Sequence, residues 1–522
     1  MINHNKKLLL QSGSGTHFLL IFVISFTLAK LFSVAFNKIF TNVLSQSEMG
    51  QYAIILSATT MLTTYSSLGF PSALNRYTVA YRSKNQLSQL KNFVFSGICV
   101  YLVIEFIIVS ILVTAYLAIG FVPNFLDFDP YLLALFVVAF ISVGQILITV
   151  TYTISSALQN SRYYSIPIIM RVLLQIPFGI LFAIILKMRV YGLVIGLFTA
   201  EILVSLYSLY IIITNLGIGR FSITETKKML SFSVPGYIVG LLLASYNFGI
   251  KYYVVFVFKD ASSINGQELI ALYQYGAFAV VNLLLIAENM LKIVYRPIIF
   301  KYFERKKYSE MQSITITVGK LFILLIIFGS FLIYAFSPII IPLLTCSDYL
   351  AGIPVIPILL LAGILGYLRT LLAYGHTLYY KNYWAGIAGT VAIITAVIVG
   401  VFTIPHLQLI GLGLSYLCIP LIQFLFLMAV SQHYFKIRYD PRLLIKLLLS
   451  LIISISIGVL LNFMIIKNSQ YTILISYSIS AVIFLLLSFI LRLITKKDIV
   501  FIKNLITTYR DLIAAKIQKN SG

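Results

Sequence analysis

Long apolar runs alternate with short polar breaks along almost the whole chain. Fourteen of these runs end at polar, Gly or Pro positions, near 16–37, 50–70, 93–119, 131–157, 165–187, 190–215, 233–258, 269–291, 314–344, 350–375, 383–404, 407–431, 443–466 and 471–494. Each is long enough for a helix that crosses a bilayer, which takes about 20 mostly apolar residues. A membrane strand would alternate inward and outward residues over only about 10 positions, and these continuous runs do not alternate. The pattern predicts an all-α polytopic membrane protein of about 14 transmembrane helices.

Composition agrees with a chain that mostly avoids water. Of 522 residues, 60% are hydrophobic and 10% charged, where a soluble protein carries roughly 25% charged residues. So many spans leave little chain for a separate catalytic domain. The net charge of +23 comes from 38 Lys and Arg against 15 Asp and Glu, and its meaning depends on where the cations fall. With the first segment, 1–15, read as a retained cytoplasmic tail, the inner loops and tails hold 29 of the cations and the outer loops 5. That is a strong positive-inside bias, which places both termini in the cytoplasm. Topology therefore accounts for the charge, and nucleic acid is not needed as a partner. Segment 495–522 repeats Ile, Leu and Tyr at helical spacing between lysines and arginines, as an amphipathic helix on the inner membrane face would.

Metal and redox chemistry find no support. Cys99 and Cys418 sit inside apolar runs and Cys346 is the odd third, while His4, His17, His376, His406 and His433 show no ligand spacing. No cofactor is expected.

The chain also repeats itself. Lys30 and Lys251 lie 221 residues apart in spans 1 and 7, Tyr52 and Tyr273 open spans 2 and 8 at the same offset, and Arg76 and Arg296 begin basic loops 220 residues apart. Two copies of six spans have the same orientation, the parallel type of repeat with a site near the midplane between the halves. This divides the chain into lobes at 16–232 and 233–431, followed by an extra pair of spans at 443–494. Pro177, Pro235, Pro354, Pro357 and Pro420 supply candidate kinks for a rocking motion.

With two lobes of six spans, an added pair, the stretch Ser47-Glu48-Met49-Gly50-Gln51-Tyr52 leading into span 2 and the Arg-rich loop after it, the chain resembles the polysaccharide-export branch of the multidrug/oligosaccharidyl-lipid/polysaccharide (MOP) flippase superfamily. It is similar to Wzx-type O-antigen flippases. The resemblance implies a bacterial inner-membrane transporter, not an enzyme, that moves an undecaprenyl-diphosphate-linked oligosaccharide to the outer leaflet by alternating access. Membrane lipids, a polysaccharide polymerase and chain-length components are the partners it implies.

Ionisable groups inside spans cost at least ~2.5–3.5 kcal/mol each at the bilayer centre, so they are candidate site residues. Lys30 and Lys251 are repeat equivalents that either line a shared cavity as partners of a lipid diphosphate or snorkel to the interface. Arg76 and Arg296 are placed to capture a diphosphate at the cytoplasmic leaflet, and topology alone accounts for them equally well. Glu105 and Glu201 lie nearest the midplane, with Arg171 long enough to reach either. They are a structural ion pair or the binding groups of a coupling ion, proton or sodium.

Three rival functions are weighed on residues. An exporter of cationic drugs would want an acidic cavity, whereas the spans hold Lys30, Arg171, Lys251 and Lys320 against Glu105, Glu201 and Glu288. A lipid II flippase also fits extra spans 13 and 14, but the arginine-rich first span of that branch is not matched by Lys30 alone. A glycan polymerase or glycosyltransferase needs a sizeable outer loop, and the longest here, 259–268, carries Lys259, Asp260 and Glu268 with no base and nucleophile arrangement.

Overall fold

The structure is a computed structural model and describes residues 15–119, 131–157, 161–259, 265–282, 306–373, 375–379, 383–435 and 470–491, with isolated positions between. The expected tail segments 1–14 and 495–522, most of span 13, and Glu288, Lys292 and Arg296 lie outside the described residues.

Every regular element among the described residues is helical, because a backbone in hydrocarbon must satisfy its own hydrogen bonds. Among the described residues, eight helices are long and apolar enough to cross a membrane, or nine when one bent pair is counted as a span. In chain order the first are α1 (Gly15–Val43), α2 (Gln46–Ser67), α3 (Phe70–Ser83), α4 (Leu87–Ile119), α5 (Tyr131–Ala157) and α6 (Ser161–Gly179). α7 (Arg189–Leu216), α8 (Ile223–Val257), α9 (Gly266–Ala271), α10 (Tyr308–Ala335) and α11 (Ser337–Leu344) follow. α12 (Ile356–Leu372), the single turn α13 (Gly375–Leu378), α14 (Tyr383–Tyr434) and α15 (Gln470–Ile490) complete the described helices.

Local chemistry sets several ends and breaks. Ser45 caps α2: its backbone N–H donates to Glu48 Oε2 at 2.9 Å while its hydroxyl accepts from the Glu48 N–H at 3.3 Å, a reciprocal capping box. α2 stops at Leu68 and Gly69, both at positive φ (45° and 74°), and the chain restarts as α3 bent by 52°. A Cβ at position 69 would add strain in that backbone conformation and meet Ser233 Cβ at 3.0 Å, so glycine is the residue the turn requires. The basic stretch after span 2, expected as a loop, is therefore helix α3, with Arg76 on it. Prolines 167 and 177 lie inside α6, which passes into a π-helical turn at Ile180–Ile185. α9 likewise passes into a π-helical segment, Leu272–Phe278, and α14 breaks at Gln408 (φ 47°, ψ −115°), where spans 11 and 12 were expected to meet.

The chain gathers into two compact units. The first comprises residues 1–278 with 342–355 and 385–419. One core cluster buries Phe70, Leu74, Phe93, Tyr101, Val150 and Met229, so α3, α4 and α5 close around the start of α8. The second comprises 279–341, 356–384 and 420–522. Met311, Ile326, Tyr367 and Leu371 form its core between α10 and α12, and α15 docks on α10 with the Phe328 and Phe484 rings stacked at 5.2 Å.

Candidate functional site

Four helices of the first unit enclose a cavity of about 390 Å³. α2 gives Leu56, Ser57 and Thr60; α8 gives Leu243, Ala244, Tyr246, Asn247, Ile250 and Lys251. α9 and its π-helical continuation give Ile270, Tyr273, Gln274 and Phe278, and α14 gives Leu412 and Tyr416. The π-helical segment widens the helix by one residue in the turn that carries Tyr273, Gln274 and Phe278, a distortion that often accompanies functional sites. The wall is half apolar. Its polar groups are hydroxyls, two amides and one ammonium, and among the described residues no carboxylate lines it.

Lys251 is the cation of this wall. Its Nζ donates to the Ala53 carbonyl oxygen at 3.3 Å, so a backbone dipole of α2 holds it, and no acidic side chain among the described residues pairs with it. Tyr246 is fixed from behind by a 2.8 Å hydrogen bond between its hydroxyl and that of Ser415, which itself donates to the Ala396 carbonyl at 2.7 Å.

Beyond the cavity, at the ends expected to face outward, α2 and α9 touch backbone to backbone. A Cβ at Gly50 would fall 1.9 Å from the carbonyl oxygen of Gln267, so only glycine permits this approach. The Ser47 hydroxyl donates to Gln267 Oε1, and Gln51 Nε2 donates to the same oxygen at 3.2 Å. Neighbouring bonds add to this contact. Arg189 pairs with Glu48, Gln46 Nε2 donates to the Asp348 carbonyl at 3.0 Å, and Lys38 Nζ donates to the carbonyls of Pro342 and Thr345 at 2.5 and 2.7 Å.

The remaining candidates separate. Arg171 pairs with the fully buried Glu201, its own side chain staying 35% exposed. Glu105 is buried and hydrogen-bonded to Ser142 Oγ at 3.1 Å. Lys30 is half-buried on α1 and is not among the residues lining the cavity. Arg76 is exposed midway along α3, with its guanidinium carbon 4.6 Å from the centroid of the Phe232 ring, a cation–π contact that holds the charge against the start of α8. Nearby, the Tyr81 hydroxyl donates to Glu225, and Lys228 Nζ donates to Glu225 Oε1 at 2.8 Å and to Tyr81 Oη at 3.3 Å. The Glu225 carboxylate raises the Lys228 ammonium above its ordinary range. These three residues fasten α3 to the start of α8.

The amides Asn247, Gln267 and Gln274 were missed when only ionisable groups were weighed. The signal was present, since an amide inside an apolar span needs a partner as surely as a charge does.

The sequence matches the family described as polysaccharide biosynthesis protein over residues 18–303, more than half of the chain. Comparison with curated proteins yields no significant match. Among solved structures, the fold is similar to that of the lipid II flippase MurJ in its inward closed conformation, with a TM-score of 0.66 and 15% identity over 95% of this chain and 99% of that one. It is also similar to an outward-facing multidrug resistance MATE family transporter of the MOP superfamily, with a TM-score of 0.52 and 13% identity over 82% and 97%. A MATE transporter in the straight conformation gives 0.53 and 11% over 82% and 98%. The chain thus belongs to the polysaccharide biosynthesis protein family, a multi-pass membrane protein with the fold shared by MurJ and the MATE transporters of the MOP superfamily.

Proposed function

We propose that the protein is a flippase that carries an undecaprenyl-diphosphate-linked oligosaccharide from the inner to the outer leaflet of a bacterial inner membrane by alternating access. The observation that carries this reading is the cavity wall: Lys251 with Asn247, Gln274 and several tyrosines, and no carboxylate among the described residues. In a low-dielectric site a diphosphate needs a cation and hydrogen-bond donors, and sugar hydroxyls need amides and aromatic faces. A volume of about 390 Å³ suits the diphosphate and its first sugar, while the prenyl chain stays in lipid. The cationic drug of a MATE-type exporter would meet only a like charge here.

The contact of α2 with α9 at Gly50 is the barrier on the outer side, so the cavity loads from the cytoplasm. Arg76, and its repeat equivalent Arg296, recruit the diphosphate at the inner leaflet. Both termini lie in the cytoplasm, and a polymerase with its chain-length partners takes the product at the outer face.

The test is a leaflet-exposure assay in proteoliposomes containing the purified chain. A fluorescent undecaprenyl-diphosphate oligosaccharide should cross, lipid II should cross more slowly, and an organic cation should not accumulate. Transport of the cation alone would reject the reading.

A further inference from the structure

Glu105 is a buried carboxyl with no counter-ion among the described residues. It is 3% exposed on α4, although its neighbours Phe106 and Ile107 are 73% and 50% exposed. One oxygen, Oε2, shares a hydrogen bond with Ser142 Oγ at 3.1 Å. The other, Oε1, has no hydrogen-bond partner, and no Lys or Arg pairs with Glu105 among the described residues. Arg171, which in sequence had the reach for either midplane acid, is committed to Glu201.

What surrounds Glu105 is a chain of neutral oxygens from three helices. Ser142 Oγ on α5 lies 2.5 Å from Tyr101 Oη, one turn back on α4, and 3.1 Å from Thr63 Oγ1 on α2. Thr63 Oγ1 in turn donates to Gln145 Oε1 on α5 at 3.0 Å. Tyr101 is the titratable group of this set. Glu201 belongs to the opposite side of α5, where its Cβ lies 3.3 Å from the Cβ position of Gly144, and there Arg171 neutralises it. α3 and α8 also pack on α4. Their charged residues are Arg76, Arg82, Glu225, Lys227 and Lys228 toward the expected cytoplasmic end and Lys251 at the cavity, and none of them pairs with Glu105.

We propose that Glu105 is a proton-binding site: in this conformation its carboxyl carries a proton that Oε2 donates to Ser142 Oγ, and its loading and release couple transport to a proton gradient. A bare carboxylate held away from water without a cation is far costlier than a neutral acid. The protonated form also satisfies the donor count. Glu105 donates to Ser142, Ser142 to Thr63 and Thr63 to Gln145, while the Tyr101 hydroxyl is itself hydrogen-bonded to the Glu105 carboxyl, so that every donor of the set has an acceptor and only a neutral carbonyl oxygen, Oε1, is left without a donor. Sodium suits the site poorly, because these oxygens stand within hydrogen-bonding distance of one another, the spacing of shared protons and not of ligands spread around a metal ion. The same chain of hydroxyls gives the proton a route along α2 and α5 once the helices shift.

The coupling half of this proposal rests on the transport function; the proton-binding half does not, and two measurements keep them apart. Infrared spectra of the full-length protein in lipid nanodiscs at neutral pH should contain a carboxylic acid C=O band that is absent from Glu105→Gln. The variant should keep the thermal stability of the parent, since an amide replaces a neutral acid. In proteoliposomes with an imposed pH gradient the parent should build a cargo gradient of up to about tenfold per pH unit for one proton per cycle. Glu105→Gln should lose that response and Glu105→Asp should retain it. Identical infrared bands in parent and variant would overturn the proton site, and a Glu105→Gln variant that still follows the pH gradient, or a parent that answers only to sodium, would overturn the coupling. A parent that moves no cargo under any gradient would sink the flippase reading, and the infrared band would still decide the state of Glu105.

Discussion

Lys251 Nζ stands 3.3 Å from the carbonyl oxygen of Ala53, so the ammonium in the cavity wall is held by a backbone dipole of the facing helix. A dipole orients a charge without neutralising it. The ammonium therefore keeps its capacity to pair with an anion that enters, which a lysine already bound to a carboxylate would have lost.

Replacing Lys251 with Ala should remove that capacity while sparing the fold. The expected loss of transport rate is about 10- to 100-fold, the size of one charge-assisted hydrogen bond of about 1.5–3 kcal/mol. Lys251→Arg should retain most of the rate because the charge remains. Equal rates for the parent and the Ala variant, at equal amounts of folded protein, would exclude Lys251 from cargo binding.

The contact of Gly50 with the Gln267 carbonyl predicts a steric block. Even the single methyl of Gly50→Ala would meet a backbone atom at 1.9 Å, so α2 and α9 must separate at that end. Cysteines placed at Ser47 and Gln267 should cross-link readily in the parent background and several-fold more slowly with Gly50→Ala or Gly50→Val. The cross-linked parent should stop transporting until it is reduced. Unchanged cross-linking in the Gly50 variants would show that the approach of the two helices is loose.

Glu201 and Arg171 form a buried ion pair in the first unit. Glu201→Gln leaves the guanidinium without its carboxylate beside a fully buried position. A fully buried pair broken in this way costs about 3–5 kcal/mol. Because the Arg171 side chain is 35% exposed, water takes up part of the loss and about 1–3 kcal/mol is expected. Unfolding of the purified variant should register this drop, and adding Arg171→Gln should recover part of it. A Glu201→Gln variant as stable as the parent would mean that the pair holds nothing together.

The Tyr81, Glu225 and Lys228 cluster predicts a pH dependence with a definite sign. Glu225 raises the Lys228 ammonium above its ordinary range, so the folded state holds that proton more tightly than the unfolded chain does. The stabilisation is then complete below the unfolded value of about 10.4 and is lost as pH rises through the higher folded value. Lys228 is 40% exposed at its side chain, which limits the effect to about 0.2–1 kcal/mol. The stability difference between the parent and Lys228→Met should be constant from neutral pH to about pH 9 and shrink in stronger alkali. A difference that grows with alkali would reverse the sign and remove the ion pair as its cause.

The sequence by itself determined the helices, the repeat and the short roster of groups that hydrocarbon would penalise. Those properties are local. A span announces itself through some twenty consecutive residues, and Glu105, Glu201 and Lys251 stand out because every neighbour is apolar. The tertiary structure alone decided partnership. Arg171 could extend toward either carboxylate along the chain, and the packing of α6 against α7 gave it to Glu201, leaving Glu105 among hydroxyls. Lys30 and Lys251 are equivalent in the repeat, yet Lys251 is the one in the cavity wall. Gly50 reads as one more small residue until the Gln267 carbonyl is found against it. The physical reason is that the apolar faces of membrane helices are nearly interchangeable to lipid. Which faces meet is then set by close packing and by a few buried hydrogen bonds between segments distant in sequence, and the spacing of hydrophobic residues carries no record of either.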